Sequence, residues 1–198
     1  MSPNGKRKAA SPAAEEPPEK TTKTAPKTLK LTYHKGDIFN APDNTLLVHA
    51  CNTQGSWGAG IAAAFKQRYP KAYIKYRDHC VTDHDPAIDA VPTASSLLIP
   101  PSEVEGKKGK PKSHYIGCLF TSAKYGRKKD KPETILANTG PAIKQLLEDA
   151  KKEGIENVRM CKINSARFGV PWERTVAVLE GIEVEDGWVG EIEVWSID

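Results

Sequence analysis

The chain has 198 residues, which suits one domain with an appendage and is short for two. Hydrophobic residues make up only 38% and prolines number 15, a composition poorer in core-forming residues than a wholly compact domain. The formal net charge of +4 is confined to the first thirty residues, where Lys6, Arg7, Lys8, Lys20, Lys23, Lys27 and Lys30 face Glu15, Glu16 and Glu19; 22 basic and 22 acidic residues of the chain's 29 and 25 remain beyond it, so a pI of about 8.8 implies no nucleic-acid-binding face.

Residues 1–28 hold no aromatic residue and no Ile, Leu or Val. They cannot build a core and are expected to form a disordered basic tail, with the folded domain over 29–198. The stretch "GKRKAASP" reads either as a solubilising tail or as a weak nuclear-import patch. The chain lacks the apolar h-region of a signal peptide. It also lacks any run near the roughly 20 apolar residues of a membrane span. These features predict a cytoplasmic and/or nuclear protein.

"LKLTY" (29–33) alternates Leu29, Leu31 and Tyr33 with polar residues, a strand with one buried face. "KGDIFN" turns out of it. "TLLVHAC" (45–51) is a nearly continuous apolar run, typical of a strand covered on both sides. Residues 60–68 read as a helix that Pro70 ends. In "KAYIKYRDHC" (71–80) Tyr73, Tyr76 and Cys80 fall at helical spacing. "SSLLIP" (95–100) and "HYIGCLFT" (114–121) are further strands, joined by the polar, basic loop "PPSEVEGKKGKPKS". A long helix is expected from Pro132 to Gly154, with Ile135, Ile143, Leu146, Leu147 and Ala150 inside and a kink at Pro141. "NVRMCKI" (157–163) is a strand, "WERTVAVLEGI" (172–182) a helix and "EIEVWSI" (191–197) a closing strand. The alternation predicts a three-layer α/β/α sandwich with a mixed, mostly parallel sheet.

Ligands in such sheets bind where strands end and their loops diverge. Four segments qualify: 35–39, 52–61, 121–130 and 164–171. The second belongs to "HACNTQGSWGAGIAAAF", which combines Asn52, Trp57 and glycines at 55, 58 and 60. Those glycines allow close backbone approach, and a helix starting near Gly60–Ile61 offers unpaired N–H groups to an anion such as a diphosphate. "NSARFGVP" (164–171) is a second polar loop that could grip the same diphosphate. Asp37 is placed to accept from an amino group, or serves as an ordinary turn aspartate. Four widely spaced cysteines, Cys51, Cys80, Cys118 and Cys161, form no CxxC, so no zinc site is expected and buried free thiols in a reducing compartment are. Cys51 as a nucleophile is the alternative.

"KGDIF", "HACNTQGSWGAGIAAAF", "LFTS" and "KINSARFGVPW", in that order, resemble a macrodomain, and within that family the branch of ADP-ribose 1''-phosphate phosphatases. The resemblance covers 29–198. It implies that Asp37 binds the adenine amino group with the Ile38 backbone nearby. It implies that Asn52 bonds the distal ribose and that the backbone of Gly58, Gly60 and Ile61 contacts one phosphate. Ser165, Ala166, Arg167 and Phe168 would form the second phosphate loop, with Phe168 against the distal ribose. Ala166 departs from the family, which usually has glycine there.

The activity so implied is removal of the 1''-phosphate from ADP-ribose 1''-phosphate, a by-product of tRNA splicing. Asn52 and His49 are the candidate catalytic residues, with His49 as acid or base. Strict strand alternation, however, places His49 with Leu47 and Cys51 inside the sheet, unless the strand bends at 50–52. Asp130 is a further candidate base, although its neighbours Arg127, Lys128, Lys129 and Lys131 read as a solvated charge run. The alternatives are a mono-ADP-ribosyl-protein glycohydrolase and a non-catalytic ADP-ribose-binding module. The covalent-lysine glycohydrolase is disfavoured because Ser122 follows Thr121 and 164–171 holds no carboxylate. The implied partner is a small-molecule ADP-ribose derivative, or an ADP-ribosylated protein under the glycohydrolase reading. No cofactor, metal, membrane or nucleic acid is called for, and a monomer suffices.

Overall fold

The computed structural model describes residues 27–103 and 113–197. The expected tail, apart from its last two residues, and most of the basic loop at 100–113 lie outside the described residues. Six strands and four α-helices follow the sequence: β1 (Lys30–Lys35), β2 (Leu46–Asn52), α1 (Gly60–Arg68), α2 (Pro70–Val81), β3 (Ser96–Ile99), β4 (Tyr115–Ser122), α3 (Pro132–Lys152), β5 (Val158–Met160), α4 (Trp172–Glu180) and β6 (Glu191–Ser196). The strands form one sheet in the order β1-β6-β5-β2-β4-β3. Every pairing is parallel except β3 with β4. Helices cover both faces, giving the expected α/β/α sandwich.

Because β2 is central, alternate residues enter two different cores. Leu46 and Val48 face the cluster built with Ile143, Leu146 and Leu147 of α3. Leu47 and Cys51 face the cluster built with Phe65 of α1 and Tyr76 of α2. Gly117 of β4 makes room for this packing: a methyl group there would lie 2.8 Å from the Leu146 side chain. β2, β4 and β5 therefore lie side by side, and their C-terminal ends deliver three of the four candidate loops to one edge of the sheet.

Three expectations change. Lys27 and Thr28, assigned to the tail, belong to the fold: the Lys27 carbonyl accepts from the Val184 amide at 2.7 Å, and Thr28 bridges Glu183. Tyr33 is 56% exposed although Leu29 and Leu31 are buried. Its strand is at the sheet edge, where helix cover ends. The expected interruption at Pro141 does not occur, and α3 runs through it as one helix. Proline removes a single N–H, and burial of seven side chains along α3 outweighs that loss.

Candidate functional site

The first loop is organised around Asn52. The pairing of β2 with β4 slips after Cys51, so that Cys51 faces Phe120 and Asn52 faces Ser122. This irregularity releases the chain from the sheet. The Asn52 Oδ1 accepts from the backbone N–H of Gln54 at 2.9 Å and of Ser56 at 3.3 Å, and Nδ2 donates to the Ser56 carbonyl at 2.7 Å. The Tyr76 hydroxyl donates to the Asn52 carbonyl at 2.6 Å. Thr53 ties the same turn to the β4 loop, its hydroxyl donating to the Ala123 carbonyl at 3.0 Å. Beyond the turn, Gly58, Ala59 and Gly60 are exposed. Ala59 is extended and caps α1 with no side chain, and no acidic residue occupies the first turn. The amides of Gly60 and Ile61 thus open towards solvent with the positive end of the helix behind them. Gly60 has φ +58°, a conformation that favours glycine.

Trp57 does not sit on the surface of this loop. It is buried, stacked on Tyr76 with 4.9 Å between ring centroids and packed edge-on to His49 at 4.7 Å. The tryptophan anchors the glycine loop to the core from behind.

His49 is likewise in the core. Its ring stacks on Phe65 at 4.2 Å and is fully buried. The polar atom bonded to it is the Cys51 Sγ, 3.6 Å from both ring nitrogens. The structure thus places His49 inside the sheet, as strict alternation predicts, and away from the loops. The pairing with β4 slips between Cys51 and Asn52, within the 50–52 window, yet His49 precedes the slip and keeps its place inside the sheet. Cys51 fails as a nucleophile for a related reason: burial pushes its thiol well up, and the neighbouring Cys118 adds to this. His49, Cys51 and Cys118 have ligand atoms within 4.8 Å of one another, but all three are sealed from solvent. All four cysteines are free thiols.

The second loop follows β5 and turns on Asn164, buried and at φ +63°. Its Nδ2 donates to the Thr139 Oγ of α3 at 2.9 Å, and its Oδ1 accepts from the Thr121 hydroxyl of β4 at 2.9 Å. The loop closes through Gly169 N–H to the Ser165 carbonyl at 2.7 Å and Val170 N–H to the Asn164 carbonyl at 2.9 Å. Ala166 and Arg167 are exposed and Ser165 and Phe168 half-buried. Ala166 has no positive φ, so its methyl group is carried without strain where the family usually has glycine. Arg167 reaches across to the first loop: a methyl on Gly60 would lie 3.6 Å from its Cγ and 4.0 Å from its Nε. The two predicted phosphate loops do face one another.

At the end of β1, the Asp37 Oδ1 accepts from the Phe39 N–H at 3.0 Å and Oδ2 from Arg68 Nη2 at 2.9 Å. Arg68 also lies over the Phe39 ring, 4.5 Å from its centroid. Ile38 is buried next to this pair. Sequence reasoning misses Arg68 as a site residue, since the contact joins positions 31 apart in the chain. Asp130 is a brace for its own loop. Its Oδ2 accepts from Ala123 N–H at 2.7 Å and its N–H donates to Ser122 Oγ at 3.0 Å.

The Macro domain family profile matches residues 48–179. The chain belongs to the macrodomain family. It is 43% identical to the ADP-ribose 1''-phosphate phosphatase of Chaetomium globosum over 171 residues, covering 83% of this chain and 90% of that protein. It is 40% identical to the enzyme of that name from Meyerozyma guilliermondii over 167 residues, covering 78% and 95%. Among solved structures it is similar to Thermosipho africanus DarTG in complex with ADP-ribose, at TM-score 0.63 and 18% identity, over 86% of this chain and 42% of that one. A mutant Oceanobacillus iheyensis macrodomain with ADPR gives a TM-score of 0.62 at 15% identity, over 85% of each chain. These structural likenesses establish the macrodomain fold.

Proposed function

We propose that the protein is an ADP-ribose 1''-phosphate phosphatase. The observation that carries this reading is its likeness, along most of both chains, to several fungal proteins of that name. The loop chemistry supports it. An uncapped helix start and a second turn of backbone amides, bridged by the exposed Arg167, suit a diphosphate held between them. Asp37 accepts from the adenine amino group once Arg68 yields or shares its oxygen. Asn52 fixes the first loop and keeps one amide hydrogen for a distal ribose hydroxyl. Phe168 lies against that ribose.

In the reaction a water oxygen bonds to phosphorus and the bond from phosphorus to O1'' breaks. O1'' takes a proton, leaving ADP-ribose and inorganic phosphate. With His49 in the core, this chain's contribution is positioning and stabilisation of charge by fixed N–H groups and cations. The lysine-dependent glycohydrolase route has no counterpart here. Ser122 stands at that lysine's place and spends its hydroxyl on the Lys124 carbonyl at 2.8 Å.

The purified protein incubated with ADP-ribose 1''-phosphate should release phosphate. Incubated with auto-ADP-ribosylated protein, it should release no ADP-ribose. The reverse pattern would overturn the reading in favour of a glycohydrolase, and binding without either release would leave an ADP-ribose reader.

A further inference from the structure

Beyond the two diphosphate loops, a substrate with a third phosphate needs a cation at the distal ribose. A phosphate monoester carries about −1.5 to −2 charges near pH 7 and forms its strongest hydrogen bonds with charged donors. The loop after β4 contains Lys124, Arg127, Lys128 and Lys129, of which the first three are exposed and Lys129 is half-buried. The difference has a structural cause. Asp130 grips Ser122 and Ala123 at the start of the same loop, which fixes the position of the residue before it. From there the Lys129 side chain crosses to the second phosphate loop. A methyl on Gly169 would lie 3.7 Å from both Cε and Nζ of Lys129.

Gly169 directly follows Phe168, the residue placed against the distal ribose. Arg167 meets the first loop at Gly60, on the diphosphate side. Two cations therefore flank one short turn, one at the diphosphate and one beyond the ribose. Among the described residues no carboxylate pairs with Lys129, so its ammonium is open to an anion. An ammonium held at this position and left unpaired is suited to an anion supplied by a ligand.

We propose that Lys129 forms the subsite for the 1''-phosphate and gives the protein its preference for ADP-ribose 1''-phosphate over ADP-ribose. This rests on the phosphatase reading above. It adds a residue that touches the reacting phosphate, outside the loops that hold the diphosphate. Lys129 binds the phosphoryl oxygens in substrate and in the departing phosphate; ADP-ribose itself offers it nothing.

The test compares Lys129→Met and Lys129→Arg with the wild-type protein. Lys129→Met should raise KM for ADP-ribose 1''-phosphate by about 10–100-fold, the scale of one charge-assisted hydrogen bond. Its affinity for ADP-ribose by calorimetry should stay within about twofold, and its melting temperature should not move. Lys129→Arg should recover most of the KM. If Lys129→Met weakens both ligands equally, Lys129 merely supports the Gly169 turn and the proposal fails. It also fails if the KM is unchanged. Calorimetry with both ligands keeps the test independent of turnover. Should wild-type protein release no phosphate, the phosphatase reading falls, yet a preference for the phosphorylated ligand that Lys129→Met abolishes would still support the subsite. Equal wild-type affinity for the two ligands would overturn it.

Discussion

Two asparagines, one at the end of β2 and one four residues beyond β5, shape two loops that approach each other at Gly60 and Arg167. Asn52 bonds mainly within its own turn, to the backbone of Gln54 and Ser56, and accepts one outside bond from the Tyr76 hydroxyl at 3.3 Å. Asn164 bonds outward, to Thr121 of β4 and Thr139 of α3. The first loop is thus shaped locally and backed by an aromatic wall of Trp57, His49, Phe65 and Tyr76. The second has no such wall and is held by side-chain hydrogen bonds to two other elements. Where a loop has a hydrophobic backing, its asparagine is free to serve local geometry. Where the described residues provide no aromatic wall, as at the second loop between buried Ile163 and Val170, the asparagine supplies the polar tertiary anchor.

This contrast is broken most severely at Asn164. Asn164→Ala removes both anchors and leaves the buried Thr121 hydroxyl without its acceptor, while the Thr139 hydroxyl still donates to the Ile135 carbonyl. The substitution should cost about 1–3 kcal/mol, the penalty of one unsatisfied buried hydroxyl. Urea unfolding of the variant measures this, and a loss below about 1 kcal/mol would show that the loop keeps its shape without the anchor.

Asn52→Ala should act on function more than on stability, because Trp57 still holds the first loop in place. Misplacement of the ribose and of the loop amides should lower phosphate release by about 10²-fold. ADP-ribose affinity should fall less, since the adenine end and the second loop are untouched. Wild-type turnover in the folded variant would remove Asn52 from the site.

The wall behind the first loop is only partly legible in the sequence. Strand and helix positions follow from apolar periodicity, and the four loops follow from where those strands end. The glycines mark the first loop because a positive φ at Gly60 leaves a sequence trace. The inward direction of His49 follows from strand alternation, but Trp57 is harder, since a glycine-rich turn gives no periodic signal to say which way a side chain points. The slip between Cys51 and Asn52, set by pairing with β4, decides that direction. Asn164 and Lys129 leave no local trace at all, because their partners sit on other elements. Only "INS" and a run of lysines are visible there.

The same wall makes the first region sensitive to alkali. Burial pushes the Cys80 thiol up to about 12, beside Gly55 and Cys51. A raised thiol pKa in the folded state means the native protein keeps a proton that the unfolded chain releases. The associated stability is intact below the ordinary thiol value of about 8.5 and is lost as pH rises towards 12. The loss approaches about 1.4 kcal/mol per pH unit for one such thiol. Urea midpoints at about pH 7, 9 and 10.5 should fall more steeply for wild type than for Cys80→Ala. Parallel slopes would show that Cys80 carries no part of the alkaline loss.

The smallest effect is expected at His49, where two accounts of the residue part most cleanly. An acid or base in the reaction would lose about 10²–10⁴-fold in turnover on replacement by an apolar side chain. The structure instead gives His49 two aromatic neighbours and a thiol, with no hydrogen bond to carbonyl, carboxylate or substrate loop among the described residues. A leucine of similar bulk fits between Phe65 and Trp57 and asks for no polar partner. His49→Leu should therefore change stability by less than about 1.5 kcal/mol, as volume-conserving core replacements do. Phosphate release per folded molecule should stay within about twofold. Because the variant keeps the wall, it tests the histidine's chemistry and leaves its packing intact. A loss of turnover with an unchanged melting temperature would return His49 to the reaction, and would require the strand to turn towards the crevice when substrate binds.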